Sequence, residues 1–141
     1  MTLLFCADLC RNHGGDFETA KLMVSKACDA GADIVKLQAD DGFGGARHVE
    51  LMQLAHSLGK KTALTVRKGE MWLAEADYLK IGSGECLNDR LIEAVKADGR
   101  HWIISTGATT HQQFSRIMMQ ARLYNAIICE CVCSYPNEAC E

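Results

Sequence analysis

Two hydrophobic periods alternate along the chain. The runs "TLLFCAD", "DIVKLQ", "TALTV", "YLKIG", "WIIS" and "AIICECV" are short and mostly apolar, as expected for strands covered on both faces. Between them apolar residues recur at helical spacing. Asp16 can cap a first helix with Phe17, Ala20, Met23, Val24, Ala27 and Cys28 on one stripe, stopped by Gly31. The glycine-rich "DDGFGG" leads to a second helix ending near Gly59, and "GEMWLAEA" reads as a short third. A helix through Val95 and Ala97 follows "YLKIG". Another, from about Thr110 to Leu123, carries Phe114, Ile117, Met118 and Ala121. Six β runs separated by helices imply an α/β fold with a parallel sheet.

Length and charge narrow the classes of function. At 141 residues the chain reads as one domain, residues 1–141, with no linker or low-complexity segment. A net charge of −3 argues against a nucleic-acid or anionic-membrane surface. No apolar run approaches the ~20 residues of a membrane helix. "MTLLFCADLC" lacks the basic start of a signal peptide, so a cytoplasmic location is expected. The eight cysteines read as reduced, buried or site-lining thiols. Cys129, Cys131 and Cys133 alternate in "CECVC" and would share one face of a strand.

Polar residues gather at one end of the β runs. Asp8, Asn12 and His13 end the first, Lys36 and Gln38 the second, Thr65 and Arg67 the third. Lys80, Ser83 and Glu85 end the fourth, Ser105 and Thr106 the fifth, and Glu130, Cys133 and Tyr135 the sixth. Parallel strands place such ends on one side, where α/β folds bind ligands. Two lysines with several hydroxyls suit a phosphate or carboxylate, and the glycines of "GSGE" and "STG" let backbone N–H groups approach it. Other readings stand beside this one. Lys80 could be a structural partner of Glu85 or Asp8; Ser105 and Thr106 could cap a helix; "NHGGD" could be a capped loop with His13 satisfied inside it. His48, His56, His101 and His111 read as surface residues.

These segments together resemble the N-acetylneuraminate (sialic acid) synthase family. "ADLCRNHGGDFETAKLMVSKACDAGADIVKLQ" is similar to its opening segment, "YLKIGSGECLNDRLIEAV" to its fourth strand and following helix, "IISTGATT" to its fifth strand, and "CVCSYP" to its sixth-strand turn. The resemblance implies a (β/α)8 TIM-barrel type, here an incomplete barrel of about six βα units. It implies a condensation of phosphoenolpyruvate with an N-acetylated amino sugar to a nine-carbon acidic sugar, with release of phosphate. By position, Lys80, Ser83, Ser105 and Thr65 match phosphoenolpyruvate-binding positions, and Lys36 a lysine near that substrate's charged end. Asp8 stands for a glutamate facing the acceptor sugar, Glu85 keeps the family's acidic residue, and Tyr135 matches a sugar-contacting tyrosine.

The sequence also departs from the family. Asp8 is one methylene shorter than glutamate, and Cys133 replaces a polar residue, often asparagine. The family's two histidines for a divalent metal, Mn²⁺ or Mg²⁺, come from strands beyond the sixth, so no metal ligands are expected within these residues. An inactive remnant or anion-binding assembly module is therefore the alternative to an enzyme. Two unpaired edges of a six-stranded sheet make a homo-oligomer the expected state.

Overall fold

A computed structural model describes residues 3–39, 42–67, 75–123 and 126–134. Its elements are β1 (Cys6–Asp8), α1 (Phe17–Asp29), β2 (Ile34–Gln38), α2 (Gly45–Ser57), β3 (Lys61–Val66), β4 (Tyr78–Ile81), a 3-10 turn (Ser83–Glu85), α3 (Asp89–Asp98), β5 (His101–Ser105), α4 (His111–Leu123) and β6 (Ile127–Cys129). The strand order follows the chain, β1-β2-β3-β4-β5-β6, in one sheet. This is the α/β incomplete barrel that the family resemblance implies, and its parallel strands are those expected from the alternation of periods. The helix expected over "GEMWLAEA" falls largely outside the described residues. Two compact units divide the chain, residues 1–79 and 80–141.

In the first unit β1, β2 and β3 are parallel neighbours, with Asp8 opposite Lys36 and Gln38 opposite Thr65. Strand β1 is shorter than "TLLFCAD" suggested. Its ladder with β2 begins at Cys6 opposite Ile34, and Asp33 turns the backbone just before, its N–H donating to Phe5 O at 2.8 Å. Leu3, Leu4 and Phe5 consequently stay exposed. Helix α1 buries Ala20, Val24 and Cys28, one residue per turn, and Asp16 caps it by accepting from Thr19 N–H at 2.6 Å. Helix α2 packs beside α1 and buries His48, Leu51, Met52 and Ala55. Those four positions are spaced i, i+3, i+4, i+7, which corrects the expectation that His48 lies on the surface. Its Nε2 lies 2.9 Å from Gln38 O, so the ring has a backbone partner in the core. His56, His101 and His111 are exposed, as expected.

In the second unit β5 and β6 run parallel, with Ser105 opposite Cys129. Strand β6 stops there, although "AIICECV" continues for three more residues. Its neighbour β5 ends at Ser105, so Glu130 has no ladder to join, and the expected strand-like alternation of Cys131 and Cys133 does not form. Helix α3 buries Leu91, Ile92 and Val95 and ends at Gly99, whose φ of 81° is a left-handed conformation that glycine adopts without strain. Asn88 caps it by accepting from Leu91 N–H at 3.3 Å. Helix α4 starts with a reciprocal box in which Thr110 Oγ1 accepts from Gln113 N–H, and Gln113 Oε1 accepts from Thr110 N–H. The core of this unit is built on Trp102, Ile103 and Ile104 with Ile117 and Ala121.

Candidate functional site

The polar residues expected at strand ends form two clusters, one in each unit. In the first, the Lys36 side chain is 4% exposed, and its ammonium lies 2.9 Å from Asp8 Oδ1. The same ammonium donates to Thr65 Oγ1 at 2.8 Å. Burying an ammonium is costly unless charge and hydrogen bonds meet it, and here a carboxylate and a hydroxyl do. The cross-strand register places Asp8 beside Lys36, so the contact follows from the ladder. Asp8 Oδ1 also accepts from Cys10 N–H at 3.1 Å. Cys10 has a φ of 47°, the only positive value among described non-glycine residues. That turn fixes the Asp8 carboxylate, whose side chain is half exposed and presents its remaining lone pairs outward.

His13, on the loop after β1, is buried and stacked on Phe43, with ring centroids 4.4 Å apart. Its Nδ1 accepts from Gly15 N–H at 3.1 Å, which puts any proton of the neutral ring on Nε2. The loop closes on its own backbone, as one reading of "NHGGD" allowed, but only through Nδ1; Nε2 is buried without a hydrogen bond, so the ring is not fully satisfied there.

The second cluster centres on Ser83. Its Oγ accepts from Gly107 N–H at 3.2 Å, and its carbonyl accepts from Cys86 Sγ at 2.9 Å. Because the Ser83 oxygen is an acceptor in that bond, its own O–H proton can be given to an anion. Lys80 stands half-buried on β4, three residues before Ser83; Ser105, buried, closes β5 two residues before Gly107. Glu85 Oε2 accepts from Asn88 Nδ2 at 2.7 Å, so the residue that caps α3 also positions this carboxylate. Thr106 is not a helix cap. Its N–H and Oγ1 both donate to Cys129 O, at 3.2 and 3.0 Å, tying the end of β5 to β6. Tyr135 lies outside the described residues.

The glycine of "STG" has a second role that the sequence concealed. A Cβ on Gly107 would lie 2.9 Å from Cys133 Sγ, 3.1 Å from Cys131 Cβ and 3.1 Å from Cys131 O. The segment after β6 therefore rests directly on the Gly107 backbone. All seven described cysteines are free thiols. Burial pushes the Cys86 thiol up from its ordinary range, with the neighbouring Cys133 and Cys131 adding to the shift. Burial likewise raises Cys129, which the charge of Lys80 partly offsets.

The sequence model of the NeuB family matches residues 43–141. The chain belongs to the NeuB family. Its fold is similar to that of the N-acetylneuraminic acid (sialic acid) synthetase of Leptospira borgpetersenii, solved with citrate, at a TM-score of 0.87 and 22% identity; the match covers 98% of this chain and 57% of that one. The spore coat polysaccharide biosynthesis protein SpsE of Bacillus subtilis matches at a TM-score of 0.79 and 20% identity, over 96% of this chain and 46% of that one. The DAHP synthase of Thermotoga maritima matches at a TM-score of 0.71 and 18% identity, over 90% and 41%. No curated protein sequence matches the chain significantly. The NeuB-type chain thus spans about half the length of the solved structures it resembles.

Proposed function

We propose that the protein acts in a phosphoenolpyruvate-dependent, aldol-type condensation with an N-acetylated amino sugar. The observation that carries this reading is the Ser83–Gly107 pair, which joins the turns that follow the strands bearing Lys80 and the buried Ser105. Membership of the NeuB family and the likeness to a sialic acid synthetase support the substrate class. In this reading Lys80, Ser83 and Ser105 take the phosphate, with the ammonium supplying charge and the hydroxyls direction. Lys36, with Thr65 holding its ammonium, faces the carboxylate end. Asp8 accepts from a hydroxyl of the amino sugar, Glu85 supplies the family's second acidic group, held by Asn88, and the resemblance gives Tyr135 a contact with the sugar.

Among the described residues no group of three or more His, Cys, Asp or Glu side chains is arranged to hold a metal ion. No described helix is long and apolar enough to cross a membrane.

Titration of the chain with phosphoenolpyruvate tests the anion site, and phosphate release in the presence of N-acetylmannosamine tests the chemistry. Saturable binding competed by inorganic phosphate is expected, with release that depends on the sugar. Binding without release favours the alternative, an anion-binding module of the same family. No binding by a folded sample would remove both readings.

The protein is also expected to self-associate. Strands β1 and β6 end the strand order, and apolar side chains lie exposed beside each: Leu3 (74%), Leu4 (51%) and Phe5 (61%) before β1, with Ile127 and Val132 at β6. An edge of this kind pairs readily with another chain. Light scattering at micromolar concentration should give a mass at least twice 15.5 kDa. A stable species of monomer mass would count against it.

A further inference from the structure

We propose that Cys131 and Cys133 form a redox-active dithiol that reacts with small-molecule disulfides and, once oxidised, disables the neighbouring anion site. Only the second half of this proposal rests on the function proposed above.

The geometry is local. Cys133 Sγ and Cys131 Cβ lie 2.9 and 3.1 Å from one point, the place where a Cβ of Gly107 would be. The two side chains therefore meet over one glycine. Residues two apart have Cα atoms at most about 7 Å apart, and less where the chain bends, as it does at Cys133, which is within the reach of a disulfide. The two thiols differ in access, as an entry thiol and its resolving partner should. Cys133 is exposed; Cys131 is half-buried, with Sγ donating to Cys129 O at 3.4 Å. The other thiols of this unit are poorer candidates. Cys86 is 1% exposed and already donates to Ser83 O. Cys129 lies within β6, and burial holds its thiol protonated.

The chemistry balances with glutathione disulfide as the oxidant. The Cys133 thiolate attacks one sulfur, the S–S bond breaks, and glutathione leaves as a thiolate that takes up the proton Cys133 lost. The Cys131 thiolate then attacks the Cys133 sulfur and expels the second half of the mixed disulfide. Two protein thiols and one glutathione disulfide become one protein disulfide and two glutathione thiols. Drawing Cys133 towards Cys131 shifts the segment that rests on Gly107. The Gly107 N–H is the group that holds Ser83 Oγ. Oxidation is thereby transmitted to the hydroxyl expected to meet phosphate.

The test incubates the full chain with glutathione disulfide, blocks residual thiols and locates the modified cysteines by mass spectrometry with fragmentation. The expected result is loss of two hydrogens on Cys131 and Cys133, reversed by dithiothreitol. Phosphoenolpyruvate affinity should fall at least tenfold in the oxidised protein. Cys131→Ser should stop at a mixed disulfide on Cys133, and Cys133→Ser should resist oxidation while Cys86→Ser behaves as wild type. A disulfide mapped to Cys86 or Cys140, or Cys133 left reduced under conditions that oxidise another thiol, overturns the proposal. Oxidation at the expected pair with unchanged affinity overturns the coupling to the site. Absence of phosphoenolpyruvate binding in the reduced protein instead refutes the proposed function, and the mapped disulfide still supports the dithiol.

Discussion

Replacing Lys80 with methionine is expected to weaken phosphoenolpyruvate binding by roughly ten- to a hundredfold, more than any other single substitution in the site. A charge-assisted hydrogen bond is worth about 1.5–3 kcal/mol, and each 1.4 kcal/mol is about a tenfold change. Two lysines are candidates, and their settings differ. The Lys36 ammonium is committed to Asp8 and Thr65 inside the first unit, so it neutralises a carboxylate before any ligand arrives. Lys80 stands on β4 with its side chain half-buried, ahead of the turn that carries Ser83. Packing along the strand limits the entropy lost when that chain is fixed on an anion. Methionine keeps the apolar stem and removes only the charge, so the fold should persist. Isothermal titration of wild type and Lys80→Met decides it. Equal affinities, with both proteins folded by circular dichroism, would make Lys80 a structural residue.

The order of elements was legible because each helix carries a clean stripe and each strand a continuous apolar run. Ala20, Val24 and Cys28 of α1, and Leu91, Ile92 and Val95 of α3, are buried as their spacing requires. Misreadings arose where a partner, rather than local pattern, sets the outcome. "AIICECV" has the alternation of a long strand, yet β6 ends where β5 runs out of residues to pair with. His48 reads as a surface residue from its place on a helix, yet Leu51, Met52 and Ala55 at i+3, i+4 and i+7 mark its face as buried. Thr106 looked like a cap because a helix follows, but the true cap of α4 is the Thr110–Gln113 box.

The candidate site was legible in part for a related reason. Lys36, Thr65, Lys80, Ser83 and Ser105 announce themselves as polar residues in otherwise apolar runs. The adjacency of Asp8 and Lys36 follows once β1 and β2 are parallel neighbours in this register. Nothing in the sequence says that residues 131–133 return to Gly107. That contact joins segments more than twenty positions apart, and its only trace is the glycine itself. A strand-end glycine that avoids positive φ, as Gly107 does, is better explained by close approach than by backbone conformation.

The largest stability effect is expected at Asp77, which the sequence did not single out. Its Oδ2 accepts from Thr62 N–H at 2.8 Å and from His56 Nε2 at 2.9 Å, and its Oδ1 accepts from Lys61 Nζ at 3.1 Å. Because the carboxylate can only accept, His56 carries its proton on Nε2 in this pair. Thr62, fully buried, then has two acceptors for its single hydroxyl proton, Glu75 O and Asp77 Oδ2, each at 3.2 Å. Burial alone would raise the Asp77 carboxyl. The Thr62 amide, the His56 ring and the Lys61 ammonium outweigh it and hold the pKa at about 2. A folded-state value below the unfolded ~3.9 means that the stabilisation is fully present above about pH 4. It is lost as pH falls from about 4 towards 2, and it amounts to about 2–3 kcal/mol at roughly 1.4 kcal/mol per pKa unit. Asp77→Ala should cost about 2–4 kcal/mol at neutral pH, since it also strands the buried Thr62 N–H. Asp77→Asn should flatten the acid limb of the stability profile while retaining one acceptor. Urea unfolding of the three proteins between pH 2 and 7 measures both effects. A wild-type profile that does not change from pH 4 to the acid limit would show that the network leaves this carboxylate unshifted.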